Sequence, residues 1–261
     1  MSAKGGQGQS DVTEWKERGI GAACAVSLRI FSKFADRYTY FHFDINAGTG
    51  WNVAANCIGS PVAFTRTATQ QGIHRFAGYF CDIDPDACRA LLAHSEIGAD
   101  PRCTVFHGDN RGLVPAIPDL IRRRRENPLH AIGTILIDPN GCDIPLDELS
   151  RVNVESPKLD FIVNWNSTAF KRNRMANGTT DLRAAVEKMG KRHWLIRKPT
   201  SMHQFTLLVG RNIKVGNHAA LGFHDLDTDL GRSIFDHCNL TVAELARLSH
   251  QDDLFSEVQK L

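Results

Sequence analysis

The chain of 261 residues is 42% hydrophobic and 23% charged, with 31 Lys and Arg against 29 Asp and Glu. That composition supplies a buried core and excludes a disordered chain. A net charge of +2 neither demands nor excludes a polyanionic partner, and no uninterrupted apolar stretch is long enough to span a bilayer.

The opening MSAKGGQGQS lacks the apolar core of a signal peptide and reads as a flexible tail over residues 1–10, leaving 11–261 as one domain. Residues 11–36, with Trp15, Ile20, Ala23, Leu28 and Phe31 among them, have the pattern of an amphipathic helix. An aromatic run, Tyr38 to Ile45, reads as a buried strand. It runs into the turn Asp44-Ile45-Asn46-Ala47-Gly48-Thr49-Gly50. Glycines in such a turn let backbone N–H groups approach a ligand, and a helix starting just after would aim its positive end there.

Gly59-Ser60-Pro61 then opens a helical stretch to about Gly72. Strand Phe76–Ile83 ends at Asp82 and Asp84, and Pro85 begins a helix, since proline is tolerated in a first turn. Strand Thr104–His107 ends at Gly108-Asp109-Asn110. The helix that follows finishes in Arg122 to Arg125, a solvated C-terminus more than a nucleic-acid patch. Ile132–Ile137 is a continuous apolar run, as a central parallel strand requires, closing at Asp138-Pro139-Asn140-Gly141.

Leu146–Val152 reads as a short helix, and strand Leu159–Val163 ends in Asn164-Trp165-Asn166. After a polar helical region, Trp194–Ile196 and Phe205–Val209 read as paired strands, and Leu240–Leu248 as a helix with a capping box from Thr241 to Glu244. The alternation predicts an α/β fold, a mostly parallel sheet with helices on both faces. Ligands of such sheets bind at the carboxyl ends of the strands, where strand order reverses. Seven cysteines show no CxxC pair and no Cys/His ligand spacing, so no metal is expected, and a reducing cytoplasm is the simplest setting.

Asp44, Asp82, Asp109 and Asp138 each close a predicted strand. The layout resembles that of Rossmann-like, S-adenosylmethionine-dependent methyltransferases, whose seven-stranded sheet ends in an antiparallel hairpin. The resemblance implies that Asp44, Asn46, Ala47, Gly48 and Gly50 lie at the amino-acid end of the cofactor. Asp82, with Ile83 beside it, would take the ribose hydroxyls, and Asp109 with Asn110 the adenine amino group. Asp138 through Gly141 would face the methyl group and its acceptor. Alone, each carboxylate reads equally as a loop acid or a helix cap.

Asp44–Gly50, Gly59-Ser60-Pro61, Asp82–Pro85, Ile137–Gly141 and Ile162–Asn173, in that order, are similar to the three-Cys-motif partner proteins. That is a methyltransferase-like family of mobile elements. The chain departs from the family at Asn140, where the pattern has an aromatic residue, and from many methyltransferases at Asn46, where the first loop glycine stands. In amino-group methyltransferases of nucleic-acid bases, a related Asp/Asn-Pro-Pro-aromatic motif stacks on the extruded base. Here Asp138, Pro139 and Asn140 would meet the acceptor, with Asp138 as base and Asn164 and Asn166 orienting it.

Trp165 would stack in place of the missing ring, or else serve as a rim or core aromatic. Arg197 and Lys198, with Arg172 across the edge, would form a basic rim suited to DNA or RNA phosphate, or be ordinary solvated loop charges. His42, inside a strand, reads as structural. A nicotinamide dehydrogenase fits poorly: Val53 takes the third position of G-x-G-x-x-G, and Asp82 is far beyond the about 20 residues expected after the loop. The alternative to a nucleic-acid methyltransferase is a catalytically silent partner subunit of a mobile-element or phage system, bound to another protein.

Overall fold

The computed structural model describes residues 11–247 apart from 53–55, 140, 178–180, 200–204, 215–218 and 242, with backbone alone for 11–17 and 174–177. Its first half runs α1 (Asp11–Phe31), β1 (Tyr40–Asp44), a hairpin of β2 (Trp51–Asn52) and β3 (Cys57–Ile58), α2 (Ser60–Gln70), β4 (Phe76–Asp82), α3 (Pro85–Ala93), α4 (Ser95–Gly98), β5 (Cys103–His107) and α5 (Asn110–Arg123). The second half continues with β6 (Ile132–Ile137), α6 (Leu146–Glu155), β7 (Leu159–Asn166), α7 (Ser167–Asn177), α8 (Leu182–Met189), β8 (His193–Arg197), β9 (Phe205–Arg211), β10 (Phe223–Asp225) and α9 (Asp229–Asn239).

Strand order in the main sheet is β10-β8-β9-β7-β6-β1-β4-β5. From β5 through β7 all neighbours are parallel, whereas β7–β9, β9–β8 and β8–β10 are antiparallel. The chain leaves β1 toward β4 and β5, then returns to β6 on the other side. Strand order therefore reverses between β1 and β6, which sets the ligand crevice at their carboxyl ends.

Sequence period explains which side chains face which layer. In β1, Phe41 and Phe43 point into one core, with Ile135, Ile137, Phe161 and Val163 and the apolar stripes of α5, α6, α8 and α9. Tyr40, on the opposite face, packs with Phe64, Phe76 and Phe80 beneath α2 and α3. Leu136, Ile162, Leu207 and Val209 meet α1 through Ile20, Ala23 and Cys24. Covered on both faces, β1 is buried at every position, as its aromatic run predicts.

Three expectations need correction. The main sheet has eight strands, not seven, because the short β10 adds to β8; it is too brief and polar to carry a strand signal. Instead of a helix directly after the glycine loop, the β2–β3 hairpin intervenes, closed at its neck by Gly59 N–H to Gly50 O at 2.9 Å. Residues 243–247 are helical after the expected Thr241–Glu244 box, but α9 precedes them unforeseen.

Candidate functional site

Asp44 ends β1 with its side chain on the face shared with Tyr40 and His42, and it is wholly buried. Ser60, in the first turn of α2, donates to its Oδ2 at 2.6 Å, and Asn46 N–H reaches its Oδ1 at 3.2 Å. Burial pushes the carboxyl up to about 7, helped by the nearby Asp138 and Asp82 charges and opposed by those two hydrogen bonds. Asp44 therefore props the loop from below instead of lining the crevice, a correction to its expected direct contact with a ligand. Ser60 is the residue whose role sequence reasoning missed; Gly59-Ser60-Pro61 was visible, but not its reach of sixteen positions back to Asp44.

Asp82 grips the same loop from β4. Its Oδ2 accepts Gly48 N–H at 2.8 Å and its Oδ1 accepts Asp84 N–H at 2.9 Å. Asp84 in turn caps α3 through Asp86 N–H. Gly48 has φ +62°, and a Cβ there would meet nothing within 4 Å, so the loop is open on its outer side. Asn46 needs no left-handed backbone: its Oδ1 accepts Asp138 N–H at 3.2 Å, tying β1 to β6 across the switch point. Ala47 is buried, its N–H on Cys81 O at 2.8 Å.

Ile83, next to Asp82, is 70% exposed, an apolar side chain left on the rim. Asp109 is exposed and caps α5 through Arg111 N–H at 2.8 Å, while the Oδ1 of Asn110 is buried with no partner. Gly50, with φ +76°, sits against Leu91 and His94 of the α3 end. An open glycine cradle, an orphaned acceptor at the β5 end and an exposed apolar platform fit an adenosine-bearing ligand with an extended polar tail.

On the acceptor side, Asn164 Nδ2 donates to Asp138 Oδ1 at 2.7 Å. Pro139 follows, half-buried, and Asn140 lies outside the described residues. Asn173 of α7 hydrogen-bonds the Cys142 thiol and Arg172 lies within electrostatic reach of it, so α7 borders the turn that follows β6. Three residues expected at the acceptor or its rim are engaged within the fold. Trp165 is 1% exposed and stacked on Phe170 with centroids 3.5 Å apart, a core aromatic. Asn166 Oδ1 accepts Ala169 N–H at 3.0 Å, which caps the start of α7. Arg197 lays its guanidinium against α1, 2.3 Å from where a Cβ on Gly19 would stand, so it is packed rather than displayed. Lys198 is exposed beside it.

His42 is fully buried, its Nδ1 2.7 Å from Thr134 Oγ1 and its ring stacked on Phe64; burial drives its pKa down to about 3. It is a neutral core residue, as its place inside a strand implied. A groove of about 800 Å³ between α2 and α4 is lined by Arg66, Glu96, Asp100 and Arg102, whose charges close on one another in pairs away from the loop.

No protein-family model and no curated protein matches the chain. Solved structures do. A protein of Legionella pneumophila is 12% identical with a TM-score of 0.54, covering 84% of this chain and 93% of its own. A Corynebacterium glutamicum protein assigned as a spermidine synthase is 12% identical at 0.51, covering 86% and 79%. Human methyltransferase-like protein 13, solved with S-adenosylhomocysteine, is 11% identical at 0.50, covering 85% and 91%. At such identities the likeness defines the fold alone: a Rossmann-like, mostly parallel α/β sheet, the architecture also seen in the human methyltransferase-like protein.

Proposed function

We propose that this chain is an S-adenosylmethionine-dependent methyltransferase acting on a nucleic-acid base amino group, akin to the three-Cys-motif partner proteins. The observation that carries the cofactor assignment is the Asp82 carboxylate holding Gly48 N–H and Asp84 N–H at an open glycine loop beside the strand-order switch. When bound, the cofactor supplies a methyl group on a sulfonium, so the protein mainly aligns the acceptor and excludes water. Asp82 retains acceptor capacity for ribose hydroxyls beyond its two backbone bonds. Ile83 offers an apolar face to the adenine, and the Asn110 acceptor would take its amino group. Asp138, half-buried and braced by Asn164, is the residue to receive the proton that the acceptor loses.

Arg172 and Lys198, both exposed, are the basic groups of this edge for a phosphate backbone. A second reading, a silent subunit bound to a protein partner, draws on one observation. With Trp165 in the core, no aromatic ring from β7 stands beside Asp138 to stack on a base.

Calorimetry with S-adenosylmethionine and S-adenosylhomocysteine tests the assignment. Binding by the native protein, weakened at least about 10-fold in Asp82→Ala, is expected, because a charged acceptor for two backbone N–H groups is lost. A folded Asp82→Ala protein that binds either compound normally would sink the site assignment. No binding by the folded native protein would favour the silent subunit.

A further inference from the structure

We propose that the amino ends of the central strands, opposite the crevice, form a second binding surface, which holds single-stranded nucleic acid by its phosphates and bases. This surface does not depend on the methyltransferase reading. Arg122 to Arg125 alone read as a solvated helix end, but the sheet brings other cations to them. Tyr40 of β1 pairs with Phe76 of β4 and Ile132 of β6, which sets residues 38–39, 74–75 and 130–131 side by side. Gly133 pairs with Leu159, so Lys158 comes next along the rim, its Nζ 3.4 Å from His130 Nδ1. The end of α5 is tied in from the side: the Thr39 hydroxyl donates to Glu126 Oε1 at 3.1 Å, and Arg124 Nε to Tyr79 Oη at 3.4 Å. Arg75 reaches across to Asp36 O at 3.0 Å.

Charge is unevenly shared along this rim. Arg37, Arg75, Arg123, Arg124, Arg125 and Lys158 are all exposed, and among the described residues none has a carboxylate within ion-pair distance. Most of the acids nearby are already engaged. Asp100 is paired with Arg102, and Asp119 and Glu155 both with Arg122. Glu126 is held by Thr39, and Asp36 remains as an exposed acid. The whole chain carries only +2, so the surplus is local. The crevice end is the reverse: Asp82, Asp84, Asp109 and Asp138 stand at strand ends there, about 20 Å away along the six-residue β6. A polyanion is therefore drawn to the rim.

The make-up of the rim selects among polyanions. Five of these six cations are arginines, whose planar forks grip phosphate oxygens in pairs. Two aromatic residues stand exposed among them, Phe34 at 47% and Tyr38 at 40%, joined in one turn by Tyr38 N–H to Phe34 O at 3.1 Å. Bases in a duplex stack on each other and offer such rings no face; an unpaired strand does. An anionic membrane asks for an amphipathic helix laid flat, whereas this rim is built from turns that lead into strands.

The test is fluorescence anisotropy with a labelled, mixed-sequence single-stranded oligodeoxynucleotide, read across a salt series. One variant combines Arg37→Gln, Arg123→Gln and Arg125→Asn, the asparagine suiting the φ of +62° at position 125. It is expected to bind roughly 100-fold more weakly at about 0.1 M salt, its salt slope smaller by about 2, since each phosphate contact on a single strand contributes about 0.7. Arg75→Gln with Lys158→Gln is expected to fall in the same direction, and decides the matter if the triple variant does not fold. Tyr38→Ala is expected to lose about 10-fold with an unchanged salt slope, because stacking and not charge is removed.

Folded neutralised variants that bind like the native protein would overturn the inference, as would a Tyr38→Ala protein that binds normally. So would tighter binding to phosphatidylserine vesicles than to the oligonucleotide. Calorimetry with S-adenosylmethionine separates the two readings. A native protein that binds cofactor but no oligonucleotide sinks this surface alone. Oligonucleotide binding without cofactor binding sustains the surface and sinks the methyltransferase reading.

Discussion

At the scale of single residues, one side chain does different work from its neighbours of the same type because burial differs. Asp44 and Asp82 both end strands beside one loop, yet Asp44 is sealed under Ser60 while Asp82 reaches the loop from the rim. The consequence is a pH dependence of stability. The Asp44 pKa is about 7 in the fold, above the about 3.9 of an unfolded aspartate. A raised pKa means the native protein holds a proton that the unfolded chain releases. The stabilisation is therefore full below about pH 4 and is lost as pH rises through about 7.

Asp44→Asn keeps an oxygen for the Ser60 hydroxyl and carries no charge. Melting curves are expected to show the variant gaining on the native protein between about pH 4 and pH 7 and running parallel to it above that; parallel profiles throughout would mean that Asp44 is ionised in the fold. His42, driven the other way by burial, acts on the acid limb: its neutral form stabilises above the unfolded value near 6.5, and that contribution is lost as pH falls toward 3.

At the scale of elements, the crevice depends on how closely β1 and β6 approach, because their ends carry the Asn46–Asp138 link. Gly133 allows that approach. A Cβ there would stand 1.8 Å from Phe41 O, inside any possible contact. Gly133→Val must spread the two central strands or break their ladder. It is expected to cost more than about 3 kcal/mol, read as insoluble expression or a collapsed denaturation midpoint; a soluble variant of native stability would show that the sheet has slack here.

At the scale of the whole molecule, a crevice between two halves of one sheet should transmit ligand binding to global stability. S-adenosylmethionine at 100 times its dissociation constant is expected to add about 2.7 kcal/mol, or roughly 5 to 10 °C of melting temperature for a chain of this size. An unchanged melting temperature at saturation would contradict binding to the native state.

Much of this was determined by the sequence alone. The aromatic and aliphatic runs of β1, β4 and β6 could be buried only as covered parallel strands, and the acids that end them were legible because a charge stops such a run. Gly48 was legible because few other residues adopt its dihedral. What the sequence could not decide is which groups meet across the fold. That Ser60 seals Asp44, that Asn46 reaches Asp138 and that Trp165 turns inward onto Phe170 are long-range outcomes of packing. Period and propensity act over a few residues; strand order, and with it the identity of each buried neighbour, exists only once the sheet has formed.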